Sequence, residues 1–215
     1  MHILVAGAHG QIAMHLHPIL MERGHNVTGL IRNPDHAEGL RAIGVEPLIC
    51  DLESEHEIAG MVGSPDAIVF TAGAGPGSGA ERKRTLDRDG AMKIIEAARA
   101  NGIHRYIMVS AMKAEQPRGN EVFQYYLQMK AEADAALRAS PLEWTIVRPG
   151  RLTDDPGTGM VLAAHDLNRA DIPRADVAGV LAALIEMPET SGLQFDVVAG
   201  GDPIQEALAA AVREA

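Results

Sequence analysis

Ile3-Leu4-Val5-Ala6-Gly7-Ala8-His9-Gly10-Gln11-Ile12-Ala13 decides the fold of this chain. Its first four residues are all apolar, the mark of a strand buried on both faces. Gly7, Gly10 and Ala13 then form the pattern G-x-x-G-x-x-A, and a helical pattern runs on from Gln11 to Arg23. Gly7 permits a tight turn, Gly10 leaves room for a pyrophosphate against the backbone, and Ala13 lets the helix lie close to the strand. The amides of the helix start then face the phosphates, aided by the helix dipole. This unit predicts dinucleotide binding through Gly7, Gly10, Gln11 and Ile12; the alternative is a structural turn with no ligand. His9 lies inside the loop, where it either senses a phosphate or contributes only its backbone. His15 and His17 are two apart on the helix and do not share a face, so they are not a metal pair.

The same rhythm continues outward. Short apolar runs at Val27–Ile31, Val45–Cys50, Ala67–Thr71, Tyr106–Val109, Trp144–Val147 and Phe195–Val198 alternate with helical stretches. Gln11–Arg23, Glu81–Asn101 and Asn120–Ser140 are the clearest helices, and Asp202 opens a last one. This βαβα order predicts a doubly wound parallel sheet between two layers of helices, α/β/α. No clean linker appears, so residues 1–215 are expected to form one domain. The irregular stretch from Gly150 to Arg174 is expected to wall a substrate pocket.

Composition limits the function. The chain has 215 residues, 47% hydrophobic and 22% charged, enough for a sizeable core. A net charge of −10 without a basic block argues against nucleic-acid partners, as does an aromatic content of 3%. The single cysteine, Cys50, excludes a disulfide framework and a cysteine-based zinc site and is expected to pack as a small hydrophobe. No metal is expected. No apolar run is long enough for a membrane helix, and the start enters a strand without a charged leader, so a cytoplasmic location is expected.

Three further places carry chemistry. The second strand ends in Arg32-Asn33-Pro34, where an NAD-selective site places an acid. An arginine there can pair with a 2′-phosphate, so NADP(H) is the expected preference, with NAD(H) possible and Asp35 close by. The third strand ends in Cys50-Asp51-Leu52. Asp51 can accept from the adenine amino group or cap the following turn, and Leu52 can cover the ring. The Gly-rich stretch from Thr71 to Ala80 is a loop at the carboxyl edge of the sheet, near the reversal of strand order.

The fifth strand ends in Ser110, and Tyr126-Leu127-Gln128-Met129-Lys130 gives Y-x-x-x-K on a helix. That spacing puts phenol and ammonium on one face. The ammonium is expected to lower the tyrosine pKa from its ordinary ~10. Tyr126 can then pass a proton to or from a carbonyl oxygen as hydride moves, Ser110 can hydrogen-bond the same oxygen, and Lys130 can hold the nicotinamide ribose.

Together these residues resemble the atypical short-chain dehydrogenase/reductase family. More narrowly, the chain looks like the small NAD(P)-binding proteins related to NmrA and to flavin/biliverdin-reductase-like enzymes, often labelled NAD-dependent epimerase/dehydratase. The likeness covers nearly the whole chain, including Asp66-Ala67-Ile68-Val69, Asp89-Gly90-Ala91, Trp144–Asp154, Arg174–Ala178 and Phe195–Val198. The resemblance implies a Rossmann fold with the cofactor across the strand ends. It also implies that Ala72 and Gly73 sit under the ribose and pyrophosphate, that Ser110, Tyr126 and Lys130 face the nicotinamide, and that Pro149, Gly150, Arg151 and Leu152 close over it. His9 stands where relatives usually carry threonine, Ala13 where many carry glycine, and Ala111 where a second serine is common. No extended C-terminal substrate domain of the kind found in sugar-nucleotide epimerases is expected, which favours a small or planar acceptor.

Other polar residues have plainer readings. Arg148 and Arg151 either reach the cofactor or an anionic substrate, or pair with Asp154 or Asp155. Asp176 suits a helix start, and Glu81-Arg82-Lys83-Arg84 reads as a solvated helix start. The leading expectation is an NADP(H)-dependent oxidoreductase acting on a small-molecule carbonyl, quinone or flavin-like acceptor. A non-catalytic cofactor sensor and a sugar epimerase or dehydratase with bound NAD are the alternatives. The chain is expected to be a monomer or a homodimer.

Overall fold

A computed structural model describes residues 1–75 and 77–215. The expected 71–80 loop includes Pro76, which lies outside the described residues. The chain runs β1 (His2–Ala6), α1 (Gln11–Glu22), β2 (Asn26–Ile31), α2 (Ala37–Ala42), β3 (Glu46–Ile49), α3 (Ala59–Val62), β4 (Ala67–Phe70) and α4 (Ala80–Arg82). It continues through α5 (Ala91–Ala100), β5 (Arg105–Val109), α6 (Glu121–Arg138), β6 (Glu143–Pro149), β7 (Arg151–Thr153), β8 (Met160–Ala164) and β9 (Asp171–Pro173). Then come α7 (Arg174–Ile185), β10 (Leu193–Ala199), β11 (Asp202–Pro203) and α8 (Ile204–Arg213).

The main sheet has the order β11-β8-β10-β6-β5-β4-β1-β2-β3. From β3 to β10 every pairing is parallel; at one edge β8 runs antiparallel to β10, and β11 pairs antiparallel with β8 and so runs with the rest of the sheet. Chain order reverses at β1, between β2 and β4, which opens a crevice above the carboxyl ends of the strands. The expected doubly wound, three-layer arrangement is the one observed.

Alternation along each strand explains why both faces read apolar. Ile3 and Val5 of β1, with Val69 and Ile107, meet α1 and α7 residues such as Leu16 and Leu181. Leu4 and Ala6, with Ile68, Phe70 and Met108, meet α5 and α6 residues such as Ile94 and Leu137. Burying each large apolar side chain contributes about 1.5–3 kcal/mol, so two such faces outweigh any preference for exposing one.

Two expectations need correction. The 150–174 stretch is ordered: β8 pairs with β10, while β7 and β9 form a separate two-stranded pair. The last helix begins at Ile204 because Asp202 and Pro203 first pair with Val161 and Met160. Between α4 and α5, Lys83–Gly90 is π-helical, so the long expected helix exists but carries a widened segment. Such segments are frequent at functional sites.

Candidate functional site

The strand-to-helix turn is held from several sides. The amides of Gly7 and Ala8 both donate to the Leu30 carbonyl at 3.1 Å, and that of Gly10 donates to the Gly7 carbonyl at 2.8 Å. The buried His17 imidazole lies 2.7 Å from the Ala8 carbonyl, and burial lowers its pKa. Gly7 has φ +81°, and a Cβ there would lie 2.6 Å from the Ala72 Cα. Gly10 caps α1 without a side chain, and the first turn carries no acid. The positive helix end therefore faces the crevice unneutralised.

Above it is a cleft of about 260 Å³ lined by Gly7, His9, Gly10, Arg32, Asp51, Leu52, Ala72 and Gly73, among others. These eight expected cofactor residues come together there. Gln11 stands at its rim, where its amide lies 3.4 Å from Asp154, while the Ile12 side chain turns into the core. A glycine cradle that a Cβ would fill, under an unneutralised helix end, fits a dinucleotide diphosphate.

One end of the cleft has arginines on both sides of a carboxylate. Glu53 Oε2 accepts from Arg32 at 2.9 Å and from Arg82 at 3.1 Å, and Thr85 donates to Oε1 at 2.7 Å. Burial opposes ionisation of Glu53, but these partners outweigh it and hold its pKa below the usual range. Asp51 accepts from the Glu53 amide at 3.0 Å and so braces this turn. His9 stacks on His36 with ring centroids 3.5 Å apart, and burial together with the His36 charge lowers the His9 pKa. Cys50 is buried among apolar neighbours, with its thiol pKa raised mainly by that burial.

Thr71, Ala72 and Gly73 wall the cleft, and behind them lies a second polar cluster. Asp87 Oδ2 accepts from the Ala74 amide at 3.2 Å, and Asp87 Oδ1 lies 3.4 Å from the Lys130 ammonium. Lys130 also donates to the Val109 carbonyl at 3.1 Å. Burial opposes its charge, but Asp87, the Tyr126 oxygen and Asp134 together raise its pKa. Lys83 donates to the Ala74 carbonyl and lies 4.9 Å from the centroid of the Tyr126 ring. The Tyr126 ring is half-buried beside Phe123, and no protein group bonds its oxygen among the described residues.

Here the structure revises several expectations. Burial raises the Tyr126 pKa by more than Lys130 lowers it, so the phenol stays protonated. Ser110 does not present its hydroxyl proton to the pocket: it donates to buried Asp134 at 2.8 Å. Lys83 is buried rather than solvated, because the widened helical segment aims it at backbone carbonyls. Arg148 binds Asp134 at 2.6 Å and Glu115 at 2.6 Å, and Arg151 binds Asp171, so neither pairs with Asp154 or Asp155. Arg174 takes Asp154 instead, at 2.7 Å. Pro149, Gly150, Arg151 and Leu152 line neither cluster. Gly150 packs so tightly that a Cβ there would meet the Ala170 carbonyl, and the Arg151 amide donates to that same carbonyl. Asp176, in the first turn of α7, accepts from the amides of Thr158 and Gly159.

Asp87 and Asp134 escaped the sequence reading, and Lys83 was read only as a solvated residue. Lys83–Asp87 and Lys130–Asp134 are both i, i+4 pairs, a signal that was present but looks like ordinary surface pairing. Among the described residues no cluster of His, Cys, Asp or Glu has the makings of a metal site, and no helix is long and apolar enough to cross a membrane.

Strand order, glycine turn and cleft define a Rossmann-like protein built to take a nicotinamide dinucleotide. Residues 7–188 match the family described as NAD(P)H-binding, and the chain belongs to that family. A Bacillus subtilis protein named as an uncharacterized sugar epimerase is 41% identical over 211 residues, covering 97% of this chain and 99% of its own. The solved structure of a Bacillus halodurans protein named as an NAD-dependent epimerase/dehydratase superimposes with a TM-score of 0.92 at 36% identity, covering 98% of this chain and 99% of that one. An oxidoreductase from Lactococcus lactis superimposes with a TM-score of 0.87 at 25% identity, covering 99% and 97%.

Proposed function

We propose that this protein is an NADP(H)-dependent reductase of small carbonyl, quinone or flavin-like acceptors. When bound, the nicotinamide supplies the hydride. Gly7, Gly10 and the first-turn amides of α1 hold the diphosphate, Leu52, Ala72 and Gly73 flank the adenosine half, and Arg32 with Arg82 takes the 2′-phosphate. The observation that carries the reading is Tyr126: a protonated phenol with no protein partner among the described residues, held between Phe123 and Lys83. It donates its proton to the acceptor oxygen, and the Lys130 ammonium stabilises the phenolate left behind. Asp87 positions Lys130 and ties it to the cleft wall.

Steady-state NADPH oxidation against a panel of quinones, flavins and aldehydes tests this. Turnover with an acceptor supports it. Tight NADPH binding without any turnover overturns it in favour of a cofactor sensor. The name of the Bacillus subtilis relative favours a second reading, a sugar epimerase. That reading requires retained NAD and no net cofactor consumption.

Cofactor choice gives a separate prediction. Two arginines share one carboxylate at the edge of the cleft. Arg32→Ala is expected to weaken NADPH about tenfold or more and to leave NADH little changed, since a charged hydrogen bond contributes ~1.5–3 kcal/mol. Calorimetric titration of both nucleotides measures it. An unchanged affinity ratio removes Arg32 as the selector.

A further inference from the structure

Four arginines fall between residues 148 and 174, and three are taken. Arg148 holds Asp134 and Glu115, Arg151 holds Asp171, and Arg174 holds Asp154. Arg169 differs. Its guanidinium carbon lies 5.1 Å from the centroid of the Phe123 ring, and it has no hydrogen bond or ion pair among the described residues. Phe123 in turn lies 5.9 Å from the Tyr126 ring, centroid to centroid. A row therefore runs from Arg169 through Phe123 and Tyr126 to Lys83.

Lys130 and Arg169 act on the Tyr126 phenol from the cationic side, and Asp87 and Asp134 from the anionic side. Of these four, Arg169 alone is exposed and without a hydrogen bond or ion pair among the described residues. A guanidinium lying on an aromatic ring keeps the N–H donors along its edge free, the arrangement that grips a carboxylate through two parallel bonds.

We propose that Arg169 and Phe123 form a substrate subsite for a planar, anionic acceptor. The flat body of the acceptor lies along Phe123, its carboxylate meets Arg169, and its carbonyl reaches the Tyr126 oxygen. The inference deepens the reductase reading and rests on it for the placement of the carbonyl, but not for the anion contact.

The test uses the full chain with saturating NADP⁺ and two fluorescent probes, 2-naphthoate and the neutral 2-naphthamide. Naphthoate is expected to bind the parent protein more tightly than naphthamide, and Arg169→Gln to weaken naphthoate about tenfold or more without affecting naphthamide. Arg169→Lys is expected to recover part of the loss, as a point charge without the fork. Arg169 is exposed, so these variants leave the core intact. Equal affinity for both probes, no naphthoate binding, or naphthoate binding indifferent to Arg169→Gln each overturns the subsite. A parallel assay compares NADPH oxidation by 4-carboxybenzaldehyde and benzaldehyde. Arg169-dependent naphthoate binding with no turnover of either aldehyde leaves the subsite standing and counts against the reductase. Equal turnover of both, unaffected by Arg169→Gln, leaves the reductase standing and removes the subsite.

Discussion

Gly7→Ala is expected to weaken NADPH binding about a hundredfold or more, equivalent to ~2.7 kcal/mol. Two effects add. A non-glycine residue in the left-handed region costs roughly 1–2 kcal/mol. The new Cβ would also lie 2.6 Å from the Ala72 Cα and 2.7 Å from its nitrogen, contacts that only a backbone shift can relieve. That shift moves Thr71–Gly73 away from the turn, and both line the same cleft. The fold should survive: a strain of about 2 kcal/mol lowers Tm by roughly 4–8 °C in a chain of this size. Calorimetry with NADPH, beside a thermal melt, checks both parts. A variant that melts lower yet binds NADPH like the parent would show that the turn does not hold the diphosphate.

Tyr126→Phe is expected to reduce kcat roughly 10²–10⁴-fold, the usual contribution of a positioned proton donor, with NADPH affinity unchanged. The ring keeps its contacts with Phe123 and Lys83, and only the unpartnered hydroxyl is lost. The pH profile supplies a second readout. Carbonyl reduction needs the protonated phenol, whose pKa is raised by burial, so the rate should hold from neutrality to beyond ~10 before it falls. Alcohol oxidation needs the phenolate and should rise with pH over the same range. Stopped-flow traces of both directions in the two proteins measure these limbs. Equal turnover in the Phe variant would exclude Tyr126 as the donor.

The parallel core of the sheet was legible because strands covered on both faces leave continuous apolar runs, as at Ala67–Phe70 and Tyr106–Val109. The turn from Gly7 to Ala13 was legible for a related reason: its backbone geometry admits few residue types. Met160–Ala164 was not legible. It is a short antiparallel strand whose burial alternates, and its partner Asp196–Ala199 lies far along the chain. The end of the cleft around Arg32, Asp51 and Leu52 comes from strand ends that a sequence pattern can place. The cluster around Tyr126 was only half visible, because the burial of Lys83 depends on carbonyls at Ala74 and Gly75 and on a helix that widens. The direction of the Tyr126 shift was missed for the same reason. Spacing places Lys130 one turn away, but desolvation depends on everything packed around the ring.

The margins of the main sheet bear on how this molecule meets others. One side ends in the two-residue Asp202–Pro203, the other in Glu46–Ile49, which carries a proline and an acid. Neither is long, flat or rich in free donors, so neither offers a ready template for a foreign strand. Self-association, if it occurs, is then directed to helical surfaces, and the crevice at the carboxyl ends of the strands is left open to small molecules.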